Sequence, residues 1–367
     1  MQLMRSPFEM EIAITGKCNL HCLYCSHFTS AGDVPKDLPT AEWLTFFEEL
    51  GRLAVIRVIV EGGEPFVRPD FPELIEGIVK NRMRFSILSN GTLITEEHAA
   101  FLAATRRCDL VQVSIDGSKP ETHDACRGKG TFFKAVQGLK NLQRHGVPVT
   151  VRVTINRHNL EDLTEVARFL LIDLGLPGFS TNSASFLGMC RSMADKVQLS
   201  VEDRSRAMQL MWELQERYPG RISANAGPLA EARDWLDIAQ ALREGRETNN
   251  TRGHLVSCGG VFSKLAVRAD GVITPCLHMC HLELGRINQD KLDEVWRDHH
   301  QLHRLRERLH ISLSDFPFCQ ECEFLPYCAG GCPALSYTST GLEYHPDPGN
   351  CLKRFLEEGG RLPDAHH

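Results

Sequence analysis

The sequence predicts an α/β protein: an open, curved barrel of parallel strands, a partial (β/α)6 TIM-like barrel, followed by a small cysteine-rich unit. Three observations carry this expectation. Between residues 10 and 186 short β-rich runs alternate with helical patterns, as repeated βα units around a parallel sheet require. Six such runs are too few for a closed eight-fold barrel and enough for an open one. Beyond residue 257 regular periodicity fades while cysteine and glycine crowd in, as in a module held by metal rather than by a large apolar core.

Taken in order, the strands are read at 11–15, 55–63, 84–91, 110–117, 149–156 and 178–186. After Thr40, the residues Trp43, Phe46, Phe47 and Leu50 recur at i, i+3, i+4 and i+7, one apolar face of a helix. Asp70 stands three places before Glu73, a capping-box pattern. Thr131 is placed to cap a helix that Gly146 ends, and Asn159 to cap one that Gly175 ends. From 191 to 257 the text turns helical and charged, with a loop at 247–254. The expected organisation is therefore a barrel over 1–190, a helical connector over 191–257, a cysteine-rich domain over 258–351 and a C-terminal tail over 352–367.

A chain of 367 residues with 42% apolar content can bury one large core and a smaller second one. Its N-terminus has no long apolar segment after a basic start, and no run approaches the roughly 18 apolar residues of a membrane span. A cytoplasmic location with no membrane partner is expected. The net charge of −6 is spread over both signs, without the footprint of a nucleic-acid binder, and no nucleic-acid partner is expected. The densest basic stretch, RDHHQLHRLRERLH at 297–310, reads as a solvated helix face.

Fourteen cysteines are a heavy load for a chain without an export signal, because the cytosol keeps thiols reduced. Metal ligation accounts for them better than disulfides do. Cys18, Cys22 and Cys25 stand together, and a second group runs from Cys258 to Cys351. The isolated Cys108, Cys126 and Cys190 read as small buried hydrophobes.

Thiolates suit iron-sulfur clusters or zinc, and a four-iron cubane needs one external ligand per iron. The three cysteines of CNLHCLYC leave one iron open, where a substrate or cosubstrate can bind. The loop follows the first strand directly, which puts it at the C-terminal edge of the sheet, where such folds bind ligands. The spacing C-x3-C-x2-C, with Tyr24 before the last cysteine, resembles the radical S-adenosylmethionine (radical SAM) superfamily. In that resemblance the GGEP stretch (Gly62, Gly63, Glu64, Pro65), otherwise a glycine turn, lies against the methionine amino group of the cosubstrate, with glycines permitting close backbone approach. Ser114 and Arg127 resemble the pair that holds the ribose and carboxylate, and an arginine fork meets a carboxylate at two points. Asn90 and Asn156 are further candidates, with a turn or cap role standing beside that reading. The resemblance implies reductive cleavage of S-adenosylmethionine to a 5′-deoxyadenosyl radical that abstracts hydrogen from an unactivated carbon.

The C-terminal spacing is Cys258, twelve residues, Gly271, four residues, Cys276, then C319-x2-C322-x5-C328-x3-C332, then eighteen residues to Cys351. It resembles the seven-cysteine SPASM module, which holds two auxiliary four-iron clusters. A zinc ribbon at Cys319, Cys322, Cys328 and Cys332 would leave Cys258, Cys276 and Cys351 unexplained. The resemblance implies that Cys258, Cys276 and Cys332 hold an inner cluster and that Cys319, Cys322, Cys328 and Cys351 hold an outer one, three clusters in all with the N-terminal one. The fourth inner ligand stays open between Cys280, an open iron and another residue upstream. His278 is a candidate ligand or base, or a merely packed histidine. Sulfatase maturases of the superfamily carry a base aspartate immediately after the cysteine equivalent to Cys276; here Leu277 takes that place, which speaks against a sulfatase substrate.

The expected function is that of an enzyme, a maturase acting on a peptide or protein with net oxidation or crosslinking. A dehydrogenase of a small molecule, a sugar alcohol or a tetrapyrrole, is the alternative, and a non-catalytic iron-sulfur carrier a third. Expected partners are the substrate and an electron donor such as ferredoxin or flavodoxin; since the first strand leaves no room ahead of it for a leader-binding domain, either a separate protein presents the substrate or the substrate is not a leader peptide.

Overall fold

The structure, a computed structural model, describes residues 3–27, 36–246, 252–256 and 259–364. Six parallel strands follow one another in spatial order: β1 (Glu9–Thr15), β2 (Arg57–Gly62), β3 (Arg84–Ser89), β4 (Cys108–Ser114), β5 (Val149–Ile155) and β6 (Phe179–Ser183). Helices cross between them: α1 (Thr40–Arg52), α2 (Phe71–Lys80), α3 (Glu96–Thr105), α4 (Pro120–Arg127), α5 (Thr131–Arg144) and α6 (Leu163–Arg168), the last running on into a π turn at Phe169–Asp173. The expected partial barrel is what forms.

Each strand buries alternate residues under the helices, because side chains of a strand point to opposite faces. Met10, Ile12 and Ile14 of β1 and Val58 and Val60 of β2 are fully buried on the helix side. There they meet Trp43, Phe46, Phe47 and Leu50 of α1, and burial of each such side chain contributes about 1.5–3 kcal/mol. The opposite, inner face carries Glu11, Glu61, Gln112, Ser114, Arg152 and Asn182. A fully packed parallel sheet is apolar on both faces, whereas these strands line a polar, open lumen.

The sheet is longer than the sequence suggests. The segment expected as a helical connector contains α7 (Ala194–Val197), α8 (Val201–Arg217) and α9 (Pro228–Glu244), but also β7 (Ile222–Ala224), which pairs in parallel with β6. On the other edge β8 (Lys264–Val267) pairs in parallel with β1, with Glu9 opposite Lys264 and Ile12 opposite Val267. Then β9 (Val272–Thr274) and β10 (Gly285–Arg286) add antiparallel pairs. The cysteine-rich unit is therefore stitched into the barrel sheet. Such short strands carry too little period-2 signal to be read from sequence.

Several local expectations are corrected. Asp70 is the residue before α2 but makes no cap; its carboxylate accepts instead from Arg68 Nη2 at 2.5 Å and from the Thr40 hydroxyl. Thr131 is the first residue of α5, not its cap, and Asp124 does the capping by accepting from the Gly130 and Phe132 amides at 2.6 and 2.9 Å. The Asn159 amide turns inward, donating to the Asp116 and Thr154 carbonyls at 2.8 and 3.0 Å. Gly146 and Gly175 do end their helices, with φ of +68° and +64°. The basic stretch at 297–310 is not a solvated face throughout: Arg308 is fully buried and Arg306 nearly so. Both donate to backbone carbonyls, Arg306 to Val261 and Trp296 and Arg308 to Glu343, Gly331 and His345 among others. The expected tail begins with a helix, Leu352–Glu357, whose Phe355 packs 4.9 Å from the Trp235 ring.

Candidate active site

The loop after β1 is anchored from below. Thr15 Oγ1 and the Gly16 amide each donate to the Asp37 carboxylate at 2.7 Å, and the Lys17 amide donates to Thr15 Oγ1 at 3.0 Å. The turn after β2 then clamps it, with the Gly63 amide donating to Thr15 O and the Glu64 amide to Lys17 O. A Cβ on Gly62 would lie 2.2 Å from Thr15 O, and one on Gly63 would lie 2.1 Å from Lys17 O. The paired glycines are thus required by the approach of the cysteine loop itself, which brings Gly62, Gly63 and the three thiols to one cavity.

Cys18, Cys22 and Cys25 line a cavity of about 290 Å³ together with Tyr24, Gly62, Gly63, Asn90, Ser114, Arg127 and His278. Burial pushes the Cys18 thiol up to about 12 and Cys22 to about 11, so a metal held by these thiols would have to displace their protons. The Leu20 amide points at Cys18 Sγ at 3.4 Å, and Asn90 Nδ2 donates to Asn19 Oδ1 at 2.9 Å, holding β3 to the loop.

Asp116 is the buried hub beside it. Its Oδ2 takes Arg127 Nε at 2.5 Å and the Tyr24 hydroxyl, and its Oδ1 takes the Thr154 amide at 2.7 Å. The Arg127 guanidinium carbon lies 5.4 Å from the Tyr24 ring centroid, so one charge braces the aromatic wall and faces the cavity.

Three of the expected contacts sit elsewhere. Glu64 is fully buried, accepting from the Asn90 amide at 2.7 Å, Ser89 Oγ at 2.8 Å and the Phe66 amide at 3.3 Å, and Pro65 is buried after it. Neither is among the cavity-lining residues. Asn156 is likewise away from the cavity, shaping a turn by accepting from the His158 amide at 2.9 Å and donating to Thr154 O.

Sequence reasoning missed a charged layer in the same cavity. His27 Nε2 meets Glu61 at 3.3 Å; burial opposes the charge on both, and the pairing outweighs it, holding His27 above and Glu61 below their ordinary values. The His278 ring lies 6.4 Å from that of His27, and burial pushes it down to about 4. Gln112, Arg152, Thr154 and Asn182 complete the wall. The signal was the alternation of polar with apolar residues in strands of a parallel sheet. Leu277 is buried against Ala13 and Ala266, so no carboxylate stands at that rim position.

In the C-terminal unit Cys319, Cys322, Cys328 and Cys351 line one cavity of about 420 Å³. Burial and then the neighbouring Cys328, Cys351 and Cys322 push Cys319 up to about 11, which marks the four thiols as close neighbours. Cys332 lines a different cavity, of about 700 Å³, with Val256 and Gly259, which flank the sequence position of Cys258. Cys258 lies outside the described residues. The Cys280 thiol donates to Leu277 O at 3.0 Å, and the charges acting on it are those of Arg268, Asp270 and Glu61 rather than of other thiols. Cys108, Cys126 and Cys190 are buried.

Among the described residues no three His, Cys, Asp or Glu side chains close on a single metal ion. A four-iron cluster is wider than one ion and spreads its ligands, so sulfur-only donors grouped around a cavity fit it.

Residues 12–170 match the Radical SAM superfamily profile, and residues 258–323 match the SPASM iron-sulfur cluster-binding domain. The chain is 37% identical to mycofactocin maturase MftC of Mycobacterium ulcerans, over 95% of this chain and 89% of that one. The chain belongs to the radical SAM superfamily. It is 28% identical to the AdoMet-dependent heme synthase of Methanosarcina barkeri, over 96% of this chain and 98% of that one. Its fold matches Streptococcus suis SuiB bound to the precursor peptide SuiA, with a TM-score of 0.73 at 16% identity, over 95% of this chain and 77% of that one. As a radical SAM and SPASM protein it is an enzyme. The superfamily core implies a four-iron cluster and S-adenosylmethionine, and the SPASM domain implies auxiliary clusters. Among the described residues no helix is long and apolar enough to cross a membrane.

Proposed function

We propose that this radical SAM enzyme is a peptide maturase, abstracting hydrogen from a peptide or protein and leaving a crosslink or another net oxidation. The observation that carries this reading is the adjacency of two cavities. The cavity at Cys18, Cys22 and Cys25 and the 700 Å³ cavity at Cys332 share Ser183, Ala184 and Ser185 in their linings, so an extended segment seated at the second would lie next to the cysteine loop. A relative named as a maturase and a fold neighbour bound to a precursor peptide support it.

Cys18, Cys22 and Cys25 would hold the cluster that, when reduced, cleaves S-adenosylmethionine and supplies the hydrogen-abstracting radical. Gly62 and Gly63 would present backbone to the cosubstrate amino group. Ser114 and Arg127 would receive its ribose and carboxylate, with Asp116 fixing the Arg127 fork and Tyr24 closing the wall. Cys319, Cys322, Cys328 and Cys351 would hold the outer auxiliary cluster, and Cys258, Cys276 and Cys332 the inner one, for two auxiliary clusters that take the second electron. Ferredoxin or flavodoxin is the proposed donor.

The test is anaerobic incubation of the cluster-loaded enzyme with dithionite, S-adenosylmethionine and candidate precursor peptides. Formation of 5′-deoxyadenosine with loss of hydrogen mass from a peptide supports the reading. Turnover of a free tetrapyrrole with every peptide left unchanged replaces it with the dehydrogenase reading, which the near full-length match to a heme synthase favours. A fully loaded protein that forms no 5′-deoxyadenosine is a carrier instead.

A further inference from the structure

Arg152 stands on β5 with its side chain in the barrel lumen, where it lines the same cavity as the cysteine loop. Its neighbours in register are two serines, Ser114 on β4 and Ser180 on β6. Arg152 Nε donates to Ser180 Oγ at 3.0 Å, which fixes one edge of the guanidinium. Among the described residues no carboxylate is within ion-pair distance of it, and its two terminal nitrogens have no protein acceptor. A half-buried arginine is ordinarily paired, because a desolvated charge without a partner is costly. Asn182 lines the same cavity. Gln112 adds a third polar group to the wall.

A planar anion with two oxygens matches this arrangement, and two carboxylates compete for it, one on the cosubstrate and one on the substrate. The placement of the two arginines separates them. Arg127 packs on Tyr24 of the cysteine loop, 5.4 Å from its ring centroid, whereas Arg152 is held on β5 by Ser180 of β6. A cosubstrate chelated at the cysteine loop would therefore present its carboxylate to Arg127.

We propose that Arg152, held by Ser180 in the cavity it shares with Gln112 and Asn182, is the anchor for a carboxylate of the substrate. This rests on the reading that a substrate enters this cavity, and it adds the chemical group the substrate must carry.

The test uses glutarate and its uncharged diamide as probes of the cluster-loaded, SAM-saturated full chain, followed by calorimetric titration. Glutarate binds the parent protein and the diamide does not; Arg152→Gln weakens glutarate by about tenfold or more, the loss expected for a charged hydrogen-bonded pair. Ser180→Ala, which frees the guanidinium edge, weakens it less. Iron content and circular dichroism matching the parent show that the variants are folded, and Arg152→Lys gives a second variant that keeps the charge and loses the fork. Equal glutarate affinity in the parent and in both Arg152 variants, or no glutarate binding by the parent, overturns the proposal. So does a loss of SAM affinity of similar size in Arg152→Gln, which would assign the residue to the cosubstrate. Failure of the maturase reading is separate, since it would appear as absent 5′-deoxyadenosine or unchanged peptides whatever Arg152 binds. Peptides with free and amidated C-termini, and a tetrapyrrole with its propionates free or esterified, then tell which source supplies the carboxylate.

Discussion

Arg127 and Asp116 form a buried ion pair, with Nε to Oδ2 at 2.5 Å, the aspartate fully buried and the arginine almost so. Asp116 also takes the Tyr24 hydroxyl and the Thr154 amide, so one carboxylate joins the cysteine loop, the helix after β4 and strand β5. Removing one partner of such a pair leaves the other charge uncompensated. Asp116→Asn is expected to destabilise the protein by about 3–5 kcal/mol and to weaken SAM binding, read by denaturant unfolding and by SAM titration. Parent-like SAM affinity in a folded variant would separate the ion pair from the site.

Gly63 has no room for a side chain, since its Cβ would press on the Lys17 carbonyl. Gly63→Ala should displace the cysteine loop, costing about 1–3 kcal/mol and lowering both iron retention and SAM affinity. Gly146→Ala is the control: no atom lies within 4 Å, its φ is +68°, and only about 1 kcal/mol of backbone strain is expected with SAM affinity intact.

The two cysteine groups should separate by substitution. Cys22→Ala is expected to abolish cleavage of S-adenosylmethionine. Cys328→Ala should remove one cluster's iron while the electron paramagnetic resonance signal of the SAM-binding cluster persists. Cys332→Ala should remove a different signal from that lost in Cys328→Ala, because the two residues line separate cavities. Identical spectra for the two variants would contradict the proposed division of ligands.

Arg308 is a fully buried staple whose guanidinium reaches the carbonyls of Glu343, Gly331 and His345. Arg308→Met removes these donors and strands several buried acceptors, each costing about 1–3 kcal/mol. Limited proteolysis and hydrogen exchange should show loosening concentrated in the segment around 330–347. Uniform protection across the chain would argue against the staple.

Burial pushes the Glu64 carboxyl up to about 7, against an ordinary value of 4.5. The folded protein therefore keeps this proton where the unfolded chain has lost it, and stability falls as pH rises from about 4.5 to 7. The slope contributed is at most about 1.4 kcal/mol per pH unit. Glu64→Gln should remove that part of the slope, measured by urea unfolding at a series of pH values; an unaltered profile would place the titration on another group.

The legible parts were those with a repeating or a spaced signal. Trp43, Phe46, Phe47 and Leu50 announced α1 by period, and all four are fully buried. The cysteine spacings announced two groups of thiols that the fold gathers around cavities, Cys18, Cys22 and Cys25 in one and Cys319, Cys322, Cys328 and Cys351 in the other. Caps failed where a carboxylate had a stronger partner, as Asp70 has in Arg68. Arg306 and Arg308 read as solvated because charge in sequence does not reveal which carbonyls lie within reach. The added strands β7, β8 and β10 are two to four residues long, below the length at which a pattern emerges.

By itself the sequence determined the order of strands and helices, the outward-facing core and the thiols available to metal, because these depend on local periodicity and residue chemistry. Only tertiary structure decided that Glu61, His27, His278 and Arg152 share one lumen, that Asp116 unites Tyr24 with Arg127, and that β8 ties the cysteine-rich unit to β1. Those groups are far apart along the chain, and their meeting is set by how the sheet curves and closes its edges, a property of the packed whole that no local pattern encodes.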